Sequence, residues 1–207
     1  MTKKEMIIEN LIMNIEEGKV KGPVGIAKFI SQLAHTGQRR DNGHGYYVHP
    51  RNCVRLFYDL VSIDGSINGE ILTKYKIPYG VIEVAYLHDV VEDTELTHQD
   101  VRDIFKEVGE EQVFDEYIDV PLELITHDKK EDYDIYIQKV LKHPVSSLVK
   151  MLDLSDNMNL FGLSVLGGKE LERVIKYANY FKTINDEWHF LETLKDCYVY
   201  IVCAWNS

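Results

Sequence analysis

Apolar residues recur at intervals of three and four along almost the whole chain, and this spacing commits it to α-helices. Near the N-terminus Ile7, Ile8, Leu11, Ile12 and Ile15 fall on one face, and a Lys/Gly/Pro break follows at 19–23. A second helix is predicted over 24–35, stopped by Thr36-Gly37. The segment 38–45, with two glycines, Asp and Asn, reads as a loop. Pro50 suits a first helical turn, and Val54, Phe57, Tyr58 and Val61 continue at helical spacing. Further helices are predicted over 68–75, 81–91, 99–108, 111–119, 131–141, 145–160, 170–184 and 187–204, with Pro121 breaking the helix of 111–119. No Asn-Gly or Asp-Gly pair separates two alternating runs; Asp64-Gly65 reads as a turn between helices, so no hairpin is expected. No internal repeat or long linker divides the chain. The predicted architecture is one all-α domain over 1–207, a bundle of about ten helices.

At 207 residues the chain can bury about 70% of the surface its unfolded form exposes, so a core forms without disulfides or metal staples. The 23 Lys and Arg against 34 Asp and Glu give a net charge of −11, which repels nucleic-acid polymers over most of the surface. A small anionic ligand remains compatible, because screening acts over about 8 Å and a few local cations can outweigh a distant field. Cys53, Cys197 and Cys203 are widely spaced with no CxxC, so they read as core thiols in a reducing compartment. No signal-peptide core and no apolar run of about 18 residues is present, which gives the expectation of a cytosolic protein with no membrane partner.

The residues that carry chemistry cluster in Tyr86–Thr94. His88 and Glu92 stand one helical turn apart, and Asp89 and Asp93 stand one turn apart on the adjacent stripe. Crowded carboxylates repel one another unless something cationic sits among them, and a divalent metal is one compact solution. A solvated acidic helix end accounts for the same pattern equally well. His49 precedes Pro50 on a loop just before a helix, and Asp153 lies in an apolar helical stretch with Asn157 one turn later. A buried Asp needs a partner, and two imidazoles with two carboxylates make a mixed N/O donor set suited to Mn, Fe, Zn or Ni.

The order His49, His88-Asp89, Asp153 resembles that of the HD superfamily of metal-dependent phosphohydrolases. More narrowly, His35-Thr36-Gly37-Gln38-Arg39-Arg40, Tyr46, His49-Pro50, the run Leu87–Thr94 (LHDVVEDT) and the stretch 149–158 resemble the hydrolase domain of RelA/SpoT proteins and the small alarmone hydrolases. The resemblance runs from about Gly22 to Asn159, and synthetase motifs are absent. It implies removal of the 3′-pyrophosphate of ppGpp and pppGpp, giving GDP or GTP and pyrophosphate, with Mn2+ as the metal. By position it implies His49, His88, Asp89 and Asp153 as metal ligands, and Glu92 and Asp93 as the acidic pair that orients and deprotonates water. Arg40, Asn157 and Tyr177 correspond to substrate-binding residues.

The chain departs from the family pattern. Asp41 replaces a lysine, Gly45 a proline, and Leu160 a threonine, and the family's Asp-Arg-Leu-His-Asn-Met is Asp153-Leu154-Ser155-Asp156-Asn157-Met158 here. These differences leave open a phosphohydrolase for another nucleotide, such as NADPH or a nucleoside phosphate, and a non-catalytic nucleotide-binding regulator. Arg39, Arg40, Lys150 and Lys129-Lys130 are candidate cations for phosphate, the lysine pair reading more simply as a solvated turn. His127 reads as structural, and His35 as a residue that ends its helix. The C-terminal aromatics, Tyr177 excepted, are expected to pack the last two helices or a homodimer face.

Overall fold

Helix α1 (Lys3–Glu16) opens with a reciprocal cap: the Thr2 hydroxyl accepts from the Glu5 N–H while the Glu5 carboxylate accepts from the Thr2 N–H. The computed structural model describes residues 1–40, 42–63, 66–67, 72–73, 76–160 and 167–193. The predicted periodicity places Ile7 and Leu11 in the core, against α2 (Gly22–Ala34), and Lys4 joins α1 to Asp100 and Asp103 at 2.9 Å each. Helix α3 (Val48–Val61) buries His49, Cys53, Val54 and Phe57 on one side.

A two-residue antiparallel ladder follows, β1 (Ser62–Ile63) with β2 (Ser66–Ile67), pairing Ser62 with Ile67 and Ile63 with Ser66. The expectation of no hairpin is thereby corrected. Strands of two residues are too short to show alternation in sequence, while the Asp-Gly pair between them is a favoured hairpin turn. The helix predicted over 68–75 lies mostly outside the described residues.

The segment predicted as one helix over 81–91 is two, α4 (Val81–Leu87) and α5 (Val90–Asp93), joined at Asp89 with φ −95° and ψ −7°. Helix α6 (His98–Glu107) carries a second reciprocal cap, Thr97 with Asp100. Short α7 (Glu111–Val113) runs into a π-helical turn, Phe114–Ile118, and then α8 (Asp119–Ile125). Pro121 was expected to break the chain but is buried in the first turn of α8. The π-turn just before it interrupts the regular i to i−4 ladder, and a residue without an N–H is tolerated at that irregularity.

Helix α9 (Tyr133–Val140) is capped by Asp132, and α10 (Pro144–Asn157) begins after His143. Helix α11 (Gly168–Trp188) runs through the break predicted between 184 and 187. Asn185 and Asp186 disfavour helix by only about 0.7 kcal/mol each, and the Lys182–Asp186 pair one turn apart offsets part of that. His189, at φ 52°, ends it. Cys197, Cys203 and the helix predicted to 204 lie outside the described residues from 194 onward.

The result is an all-α bundle with α10 at its centre, packed on α3, α4, α8 and α11. Phe57, Phe105, Phe114 and Leu87 are fully buried around it. Among the described residues no helix is long and apolar enough to cross a membrane.

Gly80 sets the direction of α4. It caps the helix at φ +88°, and a Cβ there would stand 2.5 Å from the Tyr117 carbonyl oxygen of the π-turn. Left-handed backbone strain and this overlap both penalise any larger residue. Gly80→Ala is expected to destabilise the fold by about 2–4 kcal/mol, read as a shift in the urea unfolding midpoint.

Candidate metal centre

Three helices bring four donors to one point. The first turn of α3 supplies His49, the α4–α5 junction supplies His88 and Asp89, and the penultimate turn of α10 supplies Asp153. His49 Nε2 lies 3.3 Å from His88 Nε2, 3.0 Å from Asp153 Oδ1 and 3.5 Å from Asp89 Oδ2. His88 Nε2 lies 3.2 Å from Asp89 Oδ1 and 3.9 Å from Asp153 Oδ1. His49, His88 and Asp153 are buried, and Asp89 is nearly so.

The remaining ring nitrogens fix what these atoms can be. His88 Nδ1 is 2.8 Å from the Ala85 carbonyl and His49 Nδ1 is 2.7 Å from Asp156 Oδ2, so each Nδ1 is placed to donate. With the imidazoles neutral, each Nε2 is then a lone pair aimed at the other and at two carboxylates. Such a set repels itself unless a proton or a metal cation sits within it. Ligands held about 2.1 Å from one ion lie about 3.0 Å apart in an octahedron and about 3.4 Å apart in a tetrahedron; the separations here run from 3.0 to 3.5 Å except the 3.9 Å between His88 and Asp153. The donor set therefore fits a divalent transition metal.

Electrostatics reflect the same crowding. Burial opposes charge on His88, yet Asp89 and Asp153 raise its pKa. At His49 burial again opposes, but Cys53 and the hydrogen bonds to Asp153 and Asp156 raise the pKa well above its usual value. Asp153 resists burial because Lys150 and His49 hold its carboxyl far below the ordinary range; Lys150 Nζ is 2.7 Å from Asp153 Oδ2. His49, Cys53 and His88 also lie close enough to form a three-residue metal cluster. The Cys53 sulfur, however, is 4.0 Å from His49 Nδ1, the side already taken by Asp156, and burial pushes its thiol pKa up. The carboxylates on the Nε2 side are the better partners for both imidazoles.

Beside this centre opens a cavity of about 410 Å³ whose wall includes Arg40, Glu92, Asp93, Lys150, Asn157 and Tyr177. Glu92 accepts from the His127 N–H at 3.2 Å, and burial, with Asp89 and Asp93 nearby, raises its pKa. Asp93 accepts from the Tyr46 hydroxyl at 2.6 Å and from Lys129, an exposed side chain, at 3.1 Å. Arg40 Nη1 and Nη2 donate to Asp156 and to Asn157 Oδ1 at 2.6 and 2.7 Å. Leu160, half exposed, is not part of the cavity wall, and Asp41 lies outside the described residues.

His35 ends α2 and stacks on Tyr46 at 4.7 Å; its Nδ1 meets Gln38, whose amide donates to the Asp93 carbonyl. His127 packs on Tyr136 and lines the cavity. Sequence reasoning missed Asp156, and used Tyr46 only as a motif position. The available signal for Asp156 was its spacing: it follows Asp153 by three, as Asn52 follows His49, and Asn52 donates to Asp156 at 2.9 Å.

The chain is similar to known proteins over about two thirds of its length. Over 140 residues, 66% of the chain, it is 31% identical to the bifunctional (p)ppGpp synthase/hydrolase SpoT of Escherichia coli (strain K12). The same identity and span relate it to the guanosine-3′,5′-bis(diphosphate) 3′-pyrophosphohydrolases of Escherichia coli O157:H7 and Shigella flexneri. The match covers 18% of the length of each relative. No family model matches the chain.

His88 faces both carboxylates, so its loss removes one of the four donors. Elemental analysis is expected to find about one divalent metal per wild-type chain and less than about a tenth of that in His88→Ala.

Proposed function

We propose that the chain is a divalent-metal-dependent nucleotide phosphohydrolase that removes the 3′-pyrophosphate of (p)ppGpp, releasing GDP or GTP and pyrophosphate, with Mn2+ as its metal. The observation that carries this reading is the buried His49, His88, Asp89 and Asp153 set opening onto a cavity that also holds a separate acidic pair. The identity to relatives named for this hydrolysis supports the choice of substrate.

When bound by those four residues, the metal would supply charge neutralisation at the phosphates and acidification of water. The chain's own groups account for the rest. Glu92 stands in the cavity wall with a raised pKa, suited to take the proton of a water attacking the phosphorus on ribose O3′. Tyr46, by donating to Asp93, keeps that carboxylate oriented beside Glu92. The bond from phosphorus to O3′ breaks, O3′ leaves as the ribose hydroxyl with a proton from solvent water, and the attacked phosphoryl group is released as pyrophosphate. Lys150 is a cation at the cavity wall, and it offsets charge developing on phosphate oxygens. The guanidinium of Arg40, tied at both Nη atoms, keeps its flat face for stacking on a purine. A nucleotide substrate agrees with the cytosolic location expected from the sequence.

One observation favours a second reading. Leu154 lines the cavity where the family pattern has arginine, which removes a cation from the substrate side and suits a different nucleotide. A panel of ppGpp, NADPH and nucleoside 3′-phosphates with Mn2+ separates the two: release of pyrophosphate from ppGpp is expected, and an intact ppGpp beside a cleaved alternative would replace the substrate. Turnover of none would move the chain to the regulator class. Glu92→Gln is expected to lower kcat by roughly 10²–10⁴ while retaining its metal. Arg40→Ala is expected to raise KM with a smaller change in kcat, because stacking acts in ground and transition states alike.

A further inference from the structure

The carboxylate of Asp156 reaches three partners on two other segments. Its Oδ2 lies 2.7 Å from His49 Nδ1 and 2.6 Å from Arg40 Nη1, and its Oδ1 accepts from Asn52 Nδ2 at 2.9 Å. The side chain is 7% exposed. One buried group thus touches both the imidazole whose far nitrogen faces His88 and Asp153 and the guanidinium that lines the cavity. We propose that Asp156 is a positioning residue that ties the metal centre to the nucleotide-facing wall, fixing His49 as an Nε2 donor and Arg40 as a flat platform. This rests on the metal-dependent reading above.

The chemistry differs at the two ends. A carboxylate accepting from Nδ1–H selects the tautomer with its lone pair on Nε2 and makes that nitrogen a stronger ligand. At Arg40 the same oxygen holds one Nη while Asn157 holds the other, so the plane of the guanidinium is fixed before ligand arrives. Asparagine at 156 would present one neutral acceptor in place of an anion, weakening both charge-assisted bonds together. The related motif has histidine at this place, so the link belongs to this chain's own sequence. A purely structural ion pair would move stability alone; a positioning residue moves metal affinity and KM.

The test is titration calorimetry of metal-stripped protein with Mn2+ alone, with ppGpp kinetics alongside. Asp156→Asn is expected to bind Mn2+ about 10–100-fold more weakly than wild type, and Arg40→Ala within about threefold of it. Asp156→Asn is also expected to raise KM, and the double variant to show no higher KM than Arg40→Ala, since Asp156 reaches the nucleotide through Arg40. Wild-type Mn2+ affinity together with wild-type KM in Asp156→Asn would overturn the proposal. A wild-type protein that binds no Mn2+ would instead defeat the metal-dependent reading itself. Should Asp156→Asn lose its cooperative unfolding transition, nitrogen-15 spectra of Zn2+-loaded wild type decide: His49 protonated at Nδ1 and metal-bound at Nε2 supports the proposal, and metal on Nδ1 overturns it.

Discussion

Two imidazole nitrogens and two carboxylates meet inside this protein at separations of 3.0–3.9 Å, and much of the fold serves to hold them there. An isolated carboxylate taken out of water costs several kcal/mol, and two facing a pair of lone pairs cost more. Lys150 neutralises one oxygen of Asp153 and leaves the other facing both histidines. A single dication among the four donors would resolve the repulsion and would also pin α3, the α4–α5 junction and α10 to one another. Metal binding and stability would then be linked, because an ion that binds only the folded chain stabilises it by mass action.

Around that point the structure is layered by charge. Behind the ring nitrogens stand acceptors, the Ala85 carbonyl and the Asp156 carboxylate, which aim the imidazoles inward. In front, Tyr46 joins Asp89 to Asp93 through one hydroxyl, and Gln38 and His35 brace it from behind. The cavity wall sets Arg39, Arg40 and Lys150 against Asp89, Glu92, Asp93 and Asp153, so its cations face a phosphate only on one side and the carboxylate side would need the charge of a metal.

Much of this was legible in the sequence. Helical spacing located most of the elements, since amphipathic faces repeat over many residues and survive small errors of boundary. The run Leu87–Thr94 held two donors and the acidic pair at fixed spacing, so one segment announced them together. His49 and Asp153 are different: they stand about 40 and 65 residues from His88, so donor chemistry made them candidates and the family pattern tied them to it. What escaped notice was set by geometry that leaves little periodic trace. The π-turn at Phe114–Ile118 shifted the register that let Pro121 enter a helix, the ladder at Ser62–Ile67 was too short to alternate, and the break at His88-Asp89 falls within an otherwise continuous apolar pattern. Asp156 stood out only as a departure from a motif, because its partners Arg40, His49 and Asn52 come together through tertiary packing of α3 on α10.

The central claim is that the four converging donors form one metal site. Anomalous diffraction at the manganese edge, from crystals grown with Mn2+, reads it directly. The account predicts a single peak about 2.1–2.3 Å from His49 Nε2, His88 Nε2 and an oxygen of each of Asp89 and Asp153. No peak among these four residues, or a peak bonded to Cys53 with the carboxylates turned away, would contradict it.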